Sequence, residues 1–473
     1  MLTIGKCLHA LTGKIPEFTG PIVTGAKVDS RSVSPGNIFV AMAGEKTDGH
    51  LFIENAFRNG AVAALIDHDI DDAFQTIDLT TSDEIRSDID FSSPVCIKTS
   101  SSIKALQTIA KFWREQLQLD VIGITGSVGK STTKELTADV LRTQYKTLKN
   151  AGNLNNEIGL PLTLLELTEE HQVAVLEMGL YVPGEIKFLC DIATPRIGVI
   201  TNVGTVHAER AGSQEAIAKG KAELIQSLPA APQGVAILNF DDPWVQPMAK
   251  LTAARVFYYG LSSKADLWAD QIEGMGLEGI RFRLHHNNDV LHLRVPQIGR
   301  HSVHTVLRAV SVGLMLNLSW NEIIHNLQTS KNQIRLNTVY SSKGSLILDD
   351  TYNASPESTL AALNLLHELD GQKIAILGDM KELGPYEKQG HEKVGARAAD
   401  ICDTLITYGE LSAMIAGSAQ QSGLSARHIH HFTDMNELIT FVNQISTGNE
   451  VILVKGSNSL NMDRIVSALE AGQ

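Results

Sequence analysis

The chain has 473 residues, about three typical domain lengths, so two to four domains are expected. Hydrophobic residues make up 43% and charged residues 20%, with 38 Gly and 14 Pro, which excludes collagen-like and low-complexity chains. A net charge of −13 argues against a general nucleic-acid or membrane-surface binder, while leaving room for a local basic pocket that takes phosphates.

Cys7, Cys96, Cys190 and Cys402 stand far apart without a C-x-x-C pair. Neither a zinc spacing nor a disulfide framework is indicated, and a cytoplasmic protein is expected. No apolar run reaches the roughly 18 residues of a membrane span, and the N-terminus lacks a signal-like apolar segment.

In chain order, residues 1–100 carry the short apolar runs NIFVAMAG (37–44) and AVAALID (61–67) between polar, turn-rich segments, the pattern of a small α/β unit. The acidic, Ser-rich stretch 80–94 reads as a loop or hairpin excursion near a boundary. Leu106, Ile109, Ala110 and Trp113 then recur at helical spacing within 103–117. VIGIT (121–125) reads as a buried strand, followed by a Gly-rich turn and helix-forming sequence at 131–143. VAVLEM (173–178), IGVITNV (197–203) and VAILN (235–239) are spaced for crossover helices and predict a parallel sheet. Segment 265–298 alternates instead, which predicts antiparallel strands appended to that sheet. A third α/β pattern begins near residue 330, with SLILDD (345–350), KIAILGD (373–379), TLITYG (404–409) and VILVKGS (451–457). The fold class is therefore α/β in three domains, 1–100, 101–330 and 331–473.

The strongest local signal is Gly126-Ser127-Val128-Gly129-Lys130-Ser131-Thr132, directly after the strand ending in Thr125. Glycines let backbone N–H groups approach a phosphate, and a helix N-terminus adds partial positive charge. Lys130 supplies a point charge, and the Ser131 hydroxyl is placed for Mg²⁺. Ile124 stands where the longer P-loop pattern has its first glycine, so this is a shortened loop; the bland alternative is a tight turn with a surface lysine.

Glu177 ends one apolar strand, His207 follows another, and Lys221 lies in a helical segment. Carboxyl ends of strands line the ligand crevice of an open parallel sheet, so the three are candidates to meet beside the loop. Singly, each also reads as a capping carboxylate, a loop histidine and a solvated lysine. Asn153, Asn155 and Asn156 offer paired amides but are equally ordinary turn residues. DDTYNASP (349–356) ends a strand and starts a helix, and Asp29-Ser30-Arg31 offers a hydroxyl and a guanidinium to phosphate.

In order, DSRSVSPGNIFVAMAGEKTDGH (29–50), GITGSVGKSTTKE (123–135), NLNNEIGLPLTLLEL (153–167) and LEMGLYVPGEI (176–186) resemble the Mur ligase family, which builds the peptide of bacterial peptidoglycan precursors. So do ITNVGTVHAERAGSQEAIAKGKAEL (200–224), DDTYNASPEST (349–359), LGDMKELG (377–384) and LVKGSNSL (453–460), and the set is nearest the branch that adds D-alanyl-D-alanine. The resemblance implies a UDP-sugar domain, a central P-loop ATPase with a mainly parallel sheet, and a Rossmann-like C-terminal domain. It further implies a monomer, with no nucleic-acid partner and no membrane span, that joins UDP-N-acetylmuramoyl-tripeptide to D-alanyl-D-alanine at the expense of ATP, through an acyl phosphate.

By the same resemblance, Ser131 and Glu177 would hold a first Mg²⁺, and Glu177 and His207 a second. Lys221 would join them as a carbamate, with Lys130 beside the phosphates; Lys219 competes, but Glu223 two residues on favours Lys221 in an A-K-x-E register. Thr125 to Thr132, His301, Arg335 and Asp350 would contact ATP; Asn153 and Asn155 the substrate or reacting centre; Ser30 and Arg31 the UDP end. The chain departs from the family at Ser302 and Thr305, where asparagines are usual, at Asn458, where arginine is common, and in VHAERAG, which replaces A-H-L-E-x-F-G. The alternatives are a Mur-type ligase adding another amino acid, a folylpolyglutamate-synthetase-like enzyme, and a non-catalytic nucleotide or UDP-sugar binder.

Overall fold

The computed structural model describes all residues except 45–46, 71–73, 82–88, 206–207, 331–336 and 473. His207 and Arg335 therefore lie outside the described residues, as do residues 82–88 of the excursion at 80–94.

Three sheets follow one another along the chain. The first contains β1 (Gly25–Lys27), β2 (Asn37–Val40), β3 (Ala63–Ile66), β4 (Thr76–Asp78) and β5 (Val95–Lys98), ordered β1-β2-β3-β5-β4 and parallel throughout. The second contains β6 (Asp120–Thr125), β7 (Thr147–Lys149), β8 (Val173–Glu177), β9 (Ile197–Ile200), β10 (Val235–Asn239), β11 (Arg255–Gly260), β12 (Leu267–Gly274), β13 (Ile280–His286) and β14 (Asp289–Val295). Its order is β14-β13-β12-β11-β10-β9-β6-β8-β7, parallel from β7 to β12, with β13 and β14 added antiparallel as the alternating segment predicts. The third contains β15 (Asn337–Tyr340), β16 (Leu346–Asp349), β17 (Gln372–Gly378), β18 (Thr404–Tyr408), β19 (Ile429–Phe432) and β20 (Glu450–Lys455), ordered β15-β16-β20-β17-β18-β19 with only β15 antiparallel.

β6 lies between β8 and β9, buried on both faces, which is why VIGIT reads as a continuous apolar run. From β6 the chain moves outward to β7, returns to β8, then crosses to β9 and continues away. The carboxyl ends of β6, β8 and β9 consequently flank the point where strand order reverses, where open α/β sheets place their ligands.

The helix Ser102–Glu115 begins at Ser101, whose hydroxyl accepts the N–H of Lys104. It buries Leu106, Ile109, Ala110 and Trp113, and the Trp113 indole donates to the Leu167 carbonyl at 2.9 Å. That buried face belongs to one continuous apolar core, running from Ile38 and Leu65 of the first sheet to Leu176 and Leu224 of the second unit. No strand is expected from the sequence at β11 or β19. Neither RVFYYG nor IHHF is an aliphatic run, and both form by pairing with a preceding parallel neighbour.

Candidate active site

The Gly-rich turn joins β6 to the helix Lys130–Leu141. Gly126 has φ +150° and Gly129 φ +82°, and a Cβ at Gly126 would lie 1.8 Å from Thr201 Oγ1, so only glycine fits there. The loop is braced by the end of β9: the Ser127 and Val128 N–H groups donate to the backbone and side-chain oxygens of Asn202, each at 3.0 Å, and the Thr201 hydroxyl donates to the Val128 carbonyl at 2.7 Å. No side chain caps the helix at Gly129, a role that a phosphate oxygen fills at helix N-termini. Lys130 Nζ reaches back to the carbonyls of Gly126 and Ser127 at 2.8 and 3.2 Å.

Glu177, at the end of β8, is 2% exposed, and its carboxylate meets the loop directly. Ser131 Oγ donates to Oε2 at 2.6 Å, and Asn155 Nδ2 donates to Oε1 at 2.8 Å. Asn150, wholly buried, fixes the Glu177 backbone from both sides: its amide donates to the Glu177 carbonyl at 3.1 Å and its oxygen accepts the Glu177 N–H at 2.9 Å. Asn153 is an exposed loop residue whose carbonyl accepts the Asn155 N–H at 2.7 Å. The two asparagines are thus dissimilar: Asn155 is on the Glu177 carboxylate, whereas Asn153 shapes the turn.

Lys221 lies in the helix Gln214–Gln226 and is 3% exposed. Burial drives its ammonium well below the ordinary lysine range, and the positive charge of Lys130 lowers it further. Lys219 faces solvent and pairs with Glu215 at 2.9 Å, so of the two lysines only Lys221 belongs to the interior beside Lys130. Glu223 of the same helix accepts the N–H groups of Gly184 and Lys187 at 2.7 and 3.0 Å, capping the helix Glu185–Ala193.

The mouth of the loop opens into a cleft whose far wall is the C-terminal domain. Ser127, Val128, Gly129, Thr132 and His301 line one side, Asp350, Asn353 and Lys455 the other. Lys455 ends β20, is 2% exposed, and pairs with Asp350 Oδ2 at 2.6 Å while donating to the Asn353 carbonyl at 2.7 Å. His301 is open to the solvent of the cleft, yet surrounding protein holds its imidazole down at about 4, with His304, Arg308 and Lys455 repelling its charged form. Arg308, 4% exposed, donates to the hydroxyls of Thr133 and Thr305, both at 2.8 Å, and its Nη2 stands 3.1 Å from where a Gly129 Cβ would be. Ser302 donates to the Ile298 carbonyl at 2.5 Å, so both hydroxyls that replace asparagines are engaged within the protein. Asn458 donates to the Tyr352 carbonyl at 3.1 Å on the same wall.

The first-domain pair is elsewhere. Ser30 is 6% exposed in a short 3₁₀ turn capped by Asp29, while Arg31 projects into solvent and forks its guanidinium onto the Asp29 carboxylate at 2.8–3.2 Å. Sequence reasoning missed Asn150, Thr201, Asn202, Arg308 and Lys455. Lys455 carried a usable signal, since a lone cation closing the buried strand EVILVK has to find a counter-charge.

Three family models match in succession: the catalytic domain of the Mur ligase family over residues 22–114, the Mur ligase middle domain over 124–313, and the Mur ligase glutamate ligase domain over 334–458. The UDP-N-acetylmuramoyl-tripeptide–D-alanyl-D-alanine ligase of Bacillus subtilis is 33% identical over 458 residues, covering 96% of this chain and 94% of the relative. The chain belongs to the Mur ligase family. The Escherichia coli ligase of the same name is 32% identical, covering 99% of this chain and 98% of its own. Among solved Mur ligases, MurF from Acinetobacter baumannii superposes with a TM-score of 0.83 at 29% identity, covering 99% of this chain and 98% of that one. MurF from Thermotoga maritima, in complex with ADP, gives a TM-score of 0.78 at 27% identity, covering 95% of this chain and 98% of that one. Among the described residues, no helix is long and apolar enough to cross a membrane.

Proposed function

We propose that the protein uses ATP to join the terminal carboxylate of UDP-N-acetylmuramoyl-tripeptide to the amine of D-alanyl-D-alanine, acting as a monomer in the cytoplasm. The observation that carries this is the Ser131–Glu177–Asn155 cluster, set against the N-terminus of a glycine-turn helix and facing a second wall that holds Asp350 and Lys455. Full-length similarity to ligases of that name supports the choice of substrates.

Two anions must meet for the tripeptide carboxylate to attack the γ-phosphorus. Lys130 and the helix N-terminus set positive potential where the phosphates bind, and the buried guanidinium of Arg308 adds to it from behind Gly129. An acyl phosphate and ADP result; the incoming amine attacks the acyl carbon, and phosphate leaves. His301 and the C-terminal wall bearing Asp350 would close over the nucleotide, with Arg335 as a further ATP contact, and keep water from the acyl phosphate. Asn155 and Asn153 lie along the substrate's approach, and Ser30 and Arg31 serve the UDP end.

The donor set suits magnesium. Ser131 Oγ and the Glu177 carboxylate are hard oxygens 2.6 Å apart, and the buried carboxylate is held by neutral donors, which leaves its negative charge for a cation. Ser131, Glu177, His207 and Lys221 would hold two Mg²⁺ ions, which when bound neutralise charge developing on the phosphate oxygens. A buried lysine kept neutral is the form that adds CO₂: the amine nitrogen bonds to carbon, a proton leaves, and an anionic carbamate results. That carbamate offers magnesium the oxygens an ammonium lacks.

The test mixes protein, ATP, Mg²⁺, UDP-N-acetylmuramoyl-tripeptide and D-alanyl-D-alanine, and follows phosphate release and product mass together. One phosphate per new amide is expected. A ligated product only with a different amino acid would make it another Mur-type ligase, and no product with any amine would make it a binding protein.

A further inference from the structure

Beside the Glu177 cluster lies a second hollow of about 370 Å³, large enough for a side chain several methylenes long. It starts at Gly179, whose N–H donates to the Asn155 carbonyl at 2.8 Å, and thus one residue pair from the Glu177 carboxylate. Its walls are apolar, formed by Tyr181, Pro183 and Phe188, with the two aromatic rings 43% and 38% exposed.

The charged side chains that line it have one sign. Glu157 and Glu185 line the hollow, and among the described residues no lysine, arginine or histidine does. Glu157 is exposed and carries no side-chain hydrogen bond or ion pair among the described residues, while Glu185 Oε2 accepts the N–H groups of Tyr181 and Val182 at 2.6 and 3.1 Å. The N-terminus of the helix Glu185–Ala193 would ordinarily attract an anion, but Glu223 already occupies its Gly184 and Lys187 amides. Two cations beside the lining residues have acidic partners: Lys187 pairs with Asp191 at 2.9 Å, and Arg210 faces Glu382 at 3.5 Å while its guanidinium lies 4.9 Å from the Tyr181 ring.

We propose that this hollow receives the side chain of the tripeptide's third residue and selects one that ends in an amine alone, as lysine does, over one that ends in both amine and carboxylate, as diaminopimelate does. The proposal rests on the ligase reading above. Apolar walls suit the methylene chain and the carboxylates suit an ammonium, whereas a second carboxylate would meet Glu157 and Glu185 with no cation among the described lining residues to offset it.

The experiment compares UDP-N-acetylmuramoyl-tripeptides ending in lysine and in diaminopimelate, with the full chain, ATP, Mg²⁺ and D-alanyl-D-alanine, by initial rates. We expect kcat/KM to favour the lysine substrate by about tenfold or more, the size of one uncompensated like-charge contact in a half-exposed site. Glu157→Gln should raise KM for the lysine substrate and shrink the preference; Phe188→Ala should raise KM for both with kcat little changed. Equal or better turnover of the diaminopimelate substrate overturns the proposal, as does an unchanged preference in Glu157→Gln or an unchanged KM in Phe188→Ala. No product from either tripeptide would instead overturn the ligase reading on which it rests.

Discussion

Lys221 is where the site holds a group at a cost. Its folded pKa lies below its unfolded one, so between the two values the unfolded chain binds a proton that the native chain does not. Stability from this residue therefore rises with pH between the two values, and the penalty vanishes only above the ordinary lysine range of about 10.4. In CO₂-free buffer at pH 7, Lys221→Met should raise Tm, at about 2–4 °C per kcal/mol for a domain of this size, while abolishing turnover. A lower Tm would mean the amine is paired and charged. Lys221→Ala should lose activity that short-chain carboxylic acids partly restore; full activity without rescue removes the carbamate from the scheme. Lys130→Ala should abolish turnover and leave UDP-substrate affinity nearly intact, and equal loss of both would reassign it to substrate binding. Glu177 and Ser131 were legible because a strand end and the glycine turn announce a crevice, and Lys221 through the register of the family resemblance. Asn150 was not, because it sits in a segment that reads as a turn, and neither was the partner of Lys455, because Asp350 lies 105 residues away in sequence.

At the scale of single elements, the turn between β6 and its helix is the least tolerant of change. Gly126→Ala would place a methyl 1.8 Å from Thr201 Oγ1 and 2.9 Å from Thr201 Cβ, so removing the hydroxyl as well would not relieve it. Strain and overpacking together should cost on the order of 2–4 kcal/mol and abolish nucleotide binding. Calorimetry against ADP would check this, and retained affinity would show that the loop can shift. A milder case is the helix Pro356–Glu368 on the opposite wall, where the Ser355 hydroxyl accepts the Ser358 N–H at 3.2 Å. Ser355→Ala should cost about 1 kcal/mol in denaturant unfolding. Apolar runs announced the inner strands of the second and third sheets. β11 and β19 were invisible because their residues earn a strand only from the neighbour they pair with, which local pattern does not encode.

For the molecule as a whole, the order of the domains was readable from motif order, but the way they meet was not. The C-terminal turn bearing Glu382 and Gly384 lies on the short helix Ala208–Ala211: Glu382 faces Arg210 at 3.5 Å, and a Cβ at Gly384 would come within 2.8 Å of the Glu209 Cα. Glu357 likewise comes up against Gly204, in the loop that leads from β9 toward His207. Such contacts join residues far apart in sequence, and no local pattern specifies them. ATP analogue with Mg²⁺ should therefore slow hydrogen exchange at 349–368 and at 208–211 together, on the two faces of the cleft. Protection confined to the glycine turn would mean that the C-terminal domain takes no part in holding nucleotide.

The helix Ser102–Glu115 sits between the first sheet and the second with its tryptophan in a core that has no seam. A cut at residue 100 would strip the first sheet of its cover and bare the same helix on the larger fragment, so neither piece should stay in solution. The third sheet carries separate apolar cores on its own two sides, and residues 337–473 should fold when made alone. The polypeptide is thus three domains by pattern but two by packing, a wide base and one jaw, and nucleotide should move the jaw against the base rather than the two halves of the base against each other.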